Sequence, residues 1–130
     1  MSSALNRATL LAGHAVSYAE GFLAGRIDAV QLKASAERLE LELATLPDDP
    51  MIPSLINPVR LLSIALARTA AHALVLRAGQ RAGENSLHQG IEIVAGRLDR
   101  WKQVTAALTD LVRHEAKSFV KAAEIRRAAP

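Results

Sequence analysis

Residues 86–127, SLHQGIEIVAGRLDRWKQVTAALTDLVRHEAKSFVKAAEIRR, decide how the chain is to be read. Leu87, Ile91, Val94, Leu98, Trp101, Thr105, Leu108, Val112, Glu115, Phe119 and Ala122 recur at alternating steps of four and three, the spacing of one helical face. Ser86 and Gln89 stand at capping-box spacing where the pattern begins. Glu115 is the one charged residue in the seam. Unbroken, such a helix is ~60 Å long at 1.5 Å per residue. Either Gly90 or Gly96 bends or breaks it, or its C-terminal half projects past the rest of the fold. A projecting apolar seam needs a cover. The expectation is therefore a homodimer, or a complex with a protein partner, that buries Val94, Leu98, Trp101, Leu108, Val112 and Phe119. Tryptophan is enriched among interface anchors, so Trp101 stands at the centre of this expectation.

Upstream, three shorter helices are predicted over 4–24, 29–46 and 58–78. In the first, Leu5, Ala8, Ala12, Ala15, Val16, Ala19, Phe22 and Leu23 form an apolar face, and Gly25 is a left-handed stop. The second has the clearest start: Asp28 caps it with Gln31 three residues on, and Ile27 and Leu32 have staple spacing. The alternation in Leu39-Glu40-Leu41-Glu42-Leu43 has a strand period, but Leu, Glu and Ala favour helix. Residues 47–57, with Pro47, Pro50 and Pro53, read as a stiff connector whose Met51, Ile52, Leu55 and Ile56 pack on the bundle or offer a contact surface. Asn57-Pro58 then restarts the chain as cap and first helical residue, with Ile56 and Leu61 at staple spacing. The third helix is apolar on most sides, which predicts a central position. Gly79 and Gly83 mark a turn after it. The fold class that follows is all-α: a four-helix bundle in a single domain, with a long C-terminal helix.

Composition agrees. Half of the 130 residues are hydrophobic while aromatics make up 3%, so Ala and Leu must build the core. Both are strong helix formers, and Ala contacts bury little area each. With no cysteine there is neither a disulfide framework nor a thiolate metal site. Arg7, the apolar residues 10–16 and small residues near Ala19 have the outline of a signal peptide, but Gly13 and His14 interrupt a short stretch and the amphipathic pattern runs through it. The most apolar window, residues 59–78, contains Arg60, Arg68, His72 and Arg77, which argues against a membrane span. A cytoplasmic protein without a cofactor is expected.

Charge is unevenly placed. The net charge is +3, yet residues 29–56 hold two basic and five acidic groups, while 57–83 hold Arg60, Arg68, Arg77 and Arg81 with no acid. Arg113, Lys117 and Lys121 share a face of the last helix, and Arg126-Arg127 follow. That stripe is the basis of an alternative function, nucleic-acid binding through phosphate contacts. A third class is a helical-bundle enzyme. Arg68 and His72 share one face, a pairing that resembles the Arg-and-His sites of HEPN-class ribonucleases at a shorter spacing than that class uses, and two residues carry no activity over. His88/Glu92 and Asp110/His114 are spaced i, i+4, as metal ligands on a helix are, but the doubled Glu-x-x-His pattern of bundle metal sites is absent. No nucleophile elbow or phosphate-binding glycine loop occurs. The reading that results is a non-enzymatic interaction protein such as an adaptor, chaperone or regulatory subunit.

Overall fold

In a computed structural model, residues 3–46, 53–82 and 88–128 are described, and they form four helices: α1 (Ser3–Leu23), α2 (Ala29–Ala44), α3 (Pro53–Ala82) and α4 (His88–Ala128). The all-α class and the bundle arrangement are as the sequence predicts.

The α1–α2 corner is written in local chemistry. Gly25 has φ 76°, the left-handed geometry that a side chain resists. Around it the Arg26 N–H donates to the Gly21 carbonyl at 2.7 Å and the Gly25 N–H to the Phe22 carbonyl at 3.0 Å, closing the helix end. Three residues later the capping box forms: the Gln31 N–H donates to Asp28 Oδ1 at 2.8 Å, and the Asp28 N–H to Gln31 Oε1 at 2.9 Å.

Packing begins with small residues. α1 buries Ala4, Ala8, Ala12, Ala15 and Ala19 with Leu11, so its backbone lies close to its neighbours. Facing it are Leu32, Ala36, Leu39 and Leu43 from α2 and Leu55, Ile56, Val59, Leu62, Leu66 and Ala70 from α3. α4 adds Val112, with Leu108, Ala116 and Phe119 packed against the same core. α3 touches all three other helices and α1 touches all three, whereas α2 and α4 meet marginally at most. α3 thus reaches every other helix, as a central member would, but α1 does so too and one side of α3 stays exposed.

Three expectations are corrected. First, the third helix starts at Pro53 and not at Pro58, so residues 53–57 of the expected connector are helical and Pro58 lies inside the helix. Leu55 and Ile56 continue the buried stripe of Val59, Leu62 and Leu66. Burying two such side chains yields ~1.5–3 kcal/mol each, enough to offset the ~3 kcal/mol cost of an interior proline. Leu61 is exposed, so the expected Ile56–Leu61 staple does not form. Residues 47–52 of the connector lie outside the described residues.

Second, Gly79 is not a turn: α3 continues through it to Ala82. A Cβ built there would come 3.2 Å from Ile91 Cγ1, which marks a close approach of α3 to α4. Gly83 and the Ser86 cap lie outside the described residues.

Third, α4 is continuous through Gly90 and Gly96, and its C-terminal half does not project as a whole. Residues 108–119 pack into the bundle, and the N-terminal end of α4 extends instead, alongside the end of α3. The antiparallel register is fixed where Thr69 meets Thr105 and where Gly79 meets Ile91. Phe22, near the end of α1, lies at the level of Lys102. Beyond that level α3 and α4 run on together for ~15 Å at 1.5 Å per residue. Within this two-helix arm Leu98 is buried, but no described residue is from Ala71 to Arg81 or from Gly90 to Arg97.

Candidate functional site

The α3–α4 contact supplies the only buried polar layer between these two helices among the described residues. Thr69, Thr105 and Thr109 are almost fully buried. The Thr69 hydroxyl donates to the Ala65 carbonyl at 2.7 Å, so the 3.1 Å contact with Thr105 Oγ1 is a bond donated by Thr105. Thr109 donates to the Thr105 carbonyl at 2.6 Å. The Thr105–Thr69 bond crosses between the helices and holds one at a fixed height on the other. All three bonds are structural, since no buried side-chain nitrogen or oxygen among the described residues lacks a partner.

Half of the predicted seam is consumed inside the chain. Leu98, Thr105 and Val112 are buried, and Leu108 and Phe119 pack against the core. Val94 and Trp101 are half-buried outside that core, and Glu115 is half-buried as well. The division has a simple cause: positions repeating every seven residues drift ~20° per heptad around a straight helix. The buried stripe runs Leu98, Thr105, Thr109, Val112, and the other seam members sit at its edge.

A different surface is left open. Leu61, Ile64, Arg68, Ala71, Val75 and Ala78 step by three and four along α3, and every one is exposed. Ile93, Arg97, Arg100, Val104, Ala107 and Leu111 do the same along α4. Both stripes lie on one side of the α3–α4 pair, away from α1. The ring of Phe22 and the carboxylate of Glu20 reach α4 at Lys102 and Arg113. Each of those is two residues, or about 200°, from Val104 and Leu111 on the helix. α2 and α4 barely meet, and α2 borders this side only at Ile64 and Arg68, which line the groove between α2 and α3 with Glu40 and Leu43. Six of the ten exposed large hydrophobic residues recorded among the described residues are on it: Leu61, Ile64, Val75, Ile93, Val104 and Leu111. The sequence reading missed this face because it assigned the whole apolar girth of α3 to burial. The signal was a second stripe of three-four spacing on each long helix, offset from the first.

By length and composition α3 passes as a membrane span, contrary to the expectation that no window does: residues Pro53–Arg81 include a window of mean hydropathy 1.5. Only 39% of that window is buried, so its apolarity exceeds what the core uses. The open stripe accounts for the remainder.

The alternative sites are less coherent. Arg113 pairs with Glu20 and with Asp110, the latter at 3.3 Å, which offsets its charge. Lys117 and Lys121 are exposed, and Arg126 and Arg127 belong to the last turns of α4 with their side chains outside the described residues. His72 Nδ1 lies 2.8 Å from the Arg68 carbonyl of its own helix. Asp110 faces Arg113, not His114, and no group of three or more potential metal ligands gathers among the described residues. The side chain of His88 lies outside them. The groove between α2 and α3, lined by Glu40, Leu43, Arg60, Ser63, Ile64 and Arg68, is open to solvent.

No protein-family model matches the chain, and neither a curated protein nor a solved structure does.

Proposed function

We propose that the protein is a non-enzymatic helical interaction module whose working surface is the open side of the α3–α4 pair. The observation that carries this reading is the concentration of exposed large hydrophobics on that one side, from Leu61 and Ile64 on α3 to Val104 and Leu111 on α4. Single exposed apolar residues are ordinary on a soluble surface, but large apolar side chains gathered on two adjacent helices, here interspersed with Arg68, Arg97 and Arg100, favour a docking surface. The seam residues Leu98, Val112, Leu108 and Phe119 then act indirectly, by holding α4 against the core so that its outer stripe is presented. Val94 and Trp101 border the surface itself. Adaptor, chaperone and regulatory subunit are all roles such a surface serves.

The test compares the wild-type chain with a Leu61→Asp/Leu111→Asp variant. Both residues are exposed, so the variant is expected to keep its helical signal and thermal midpoint. Wild type recovered from its native cell is expected to elute as a complex, with itself or another protein, and the variant to elute alone. A wild-type chain that elutes alone at micromolar concentration, indistinguishable from the variant, removes this reading.

A further inference from the structure

We infer that the groove between α2 and α3 is a binding site for a small amphipathic monoanion, a carboxylate or phosphodiester carried on an aliphatic body. The inference does not depend on the interaction reading above, although Ile64 and Arg68 belong to both surfaces. Its basis is a set of polar side chains left without partners around one groove. Arg60 and Arg68 both line it from α3, ~12 Å apart along the axis at 1.5 Å per residue. Neither guanidinium has an ion-pair or hydrogen-bond partner among the described residues. Ser63 stands between them in the chain, lines the same groove and is only 6% exposed. The buried Thr69 and Thr109 turn their hydroxyls back to the carbonyl four residues earlier, a common way for a helix to satisfy them. The Ser63 hydroxyl makes no such bond and has no other partner among the described residues. Since no enclosed side-chain oxygen among those residues is unpaired, this one is reached from the groove. A buried hydroxyl left open on the same wall as two unpaired guanidinium groups suits an acceptor that carries negative charge.

Charge and size select the ligand. Glu40 lines the groove from α2 and is also unpaired, so the described lining carries two positive charges and one negative. Glu115 of α4 is not part of that lining. A monoanion therefore neutralises the site. A phosphate monoester, at about −1.5 to −2, brings excess negative charge against Glu40. Leu43, Ala44, Ile64 and Ala67 supply apolar surface for the body of the ligand. Two of these four are alanines, and their small side chains leave space between the helices. The groove measures about 540 Å³, within the ~300–1,000 Å³ of small-molecule sites. It is open to solvent, so a ligand of about ten heavy atoms is expected to bind with a Kd of ~0.1–1 mM.

Amide chemical-shift mapping of the full chain tests this, with octanoate, dibutyl phosphate and octylammonium as probes. At least one of the two anions is expected to shift the amides of 40–44 and 60–68 saturably. Octylammonium, which has the same tail as octanoate and the opposite charge, is expected to bind about tenfold more weakly or not at all. The Arg60→Gln/Arg68→Gln variant is expected to weaken the anion about tenfold, and Ser63→Ala about threefold. Glu40→Gln is expected to tighten it about threefold, because a like charge is removed from the groove. Glu37→Gln removes the same charge outside the lining and is expected to change nothing. Arg60, Arg68, Glu40 and Glu37 are exposed, so their variants are expected to keep the helical content of wild type. Four results overturn the inference. One is that neither anion shifts those amides, or that the shifts fall only on the apolar groove of Val75, Gly79 and Ile91 between α3 and α4. Another is that octylammonium binds as well as the anions. The others are an Arg60→Gln/Arg68→Gln chain that binds like wild type, and a Glu37→Gln change as effective as Glu40→Gln.

Discussion

Thr69 and Thr105 show how much a few buried hydroxyls contribute to this fold. Thr69 donates to its own helix at Ala65, and Thr105 donates across to Thr69, so the Thr105 hydroxyl is satisfied only while Thr69 remains. Thr69→Val leaves the Thr105 hydroxyl without that acceptor, at an expected cost of about 1–2 kcal/mol in urea unfolding. The Thr69→Val/Thr105→Val double variant is expected to cost less than the sum of the two single changes, because nothing polar is then stranded. Strict additivity would show that the two hydroxyls do not interact. Gly25 is the other residue on which the fold turns locally. At φ 76° an added side chain is strained, and Gly25→Ala is expected to lower stability by about 1 kcal/mol in the same assay. Gly25 and the Asp28–Gln31 box were legible in the sequence because each is a short-range device whose partners lie within a few residues. The threonine pair was not, since its members are 36 positions apart in sequence.

At the scale of elements, Pro58 is the informative misfit. Local propensity places it at a helix start, but the structure holds it inside α3 so that Leu55 and Ile56 join the core. Pro58→Ala is therefore expected to stabilise the protein by about 1–3 kcal/mol, read as a rise in the urea midpoint with unchanged slope. A loss of stability would mean that the proline is needed for the geometry by which α3 enters the bundle. Gly90 and Gly96 carry the same logic on α4. Both are exposed in a continuous helix, and a Cβ at either meets nothing within 4 Å. Gly90→Ala and Gly96→Ala are each expected to add about 0.5–1 kcal/mol. Heptad spacing identified α4 as one long helical pattern, yet glycine content left its continuity open. Gly79 was read as a turn for the same reason, whereas its lack of a side chain serves the close approach of Ile91.

For the whole molecule, the helices divide the chain into a four-helix region and a two-helix arm. Hydrogen exchange is expected to follow that division. Amides of 55–70 and 105–119 should be the most protected, and those of 72–82 and 88–97 should exchange faster, because no described residue of those two segments is buried. Equal protection of arm and bundle would show that something covers the arm in solution. The open α3–α4 side belongs to this scale too. It exists because α2 and α4 barely meet, a property of the assembly that no single helix possesses.

The sequence by itself determined the all-α class, the approximate positions of four helices and the capped start of α2. Each follows from propensity, periodicity or capping, which act over a few turns of chain. Only the tertiary structure decided which apolar residues would be used up. The seam on the long C-terminal helix looked like a surface waiting for a partner, but Leu98 and Val112 are buried against the chain's own helices and Leu108 and Phe119 pack into its core. The stripes through Leu61, Ile64, Val104 and Leu111 stayed outside. Helical periodicity reports that a face is apolar; which neighbour covers it depends on the register and relative placement of helices far apart in sequence.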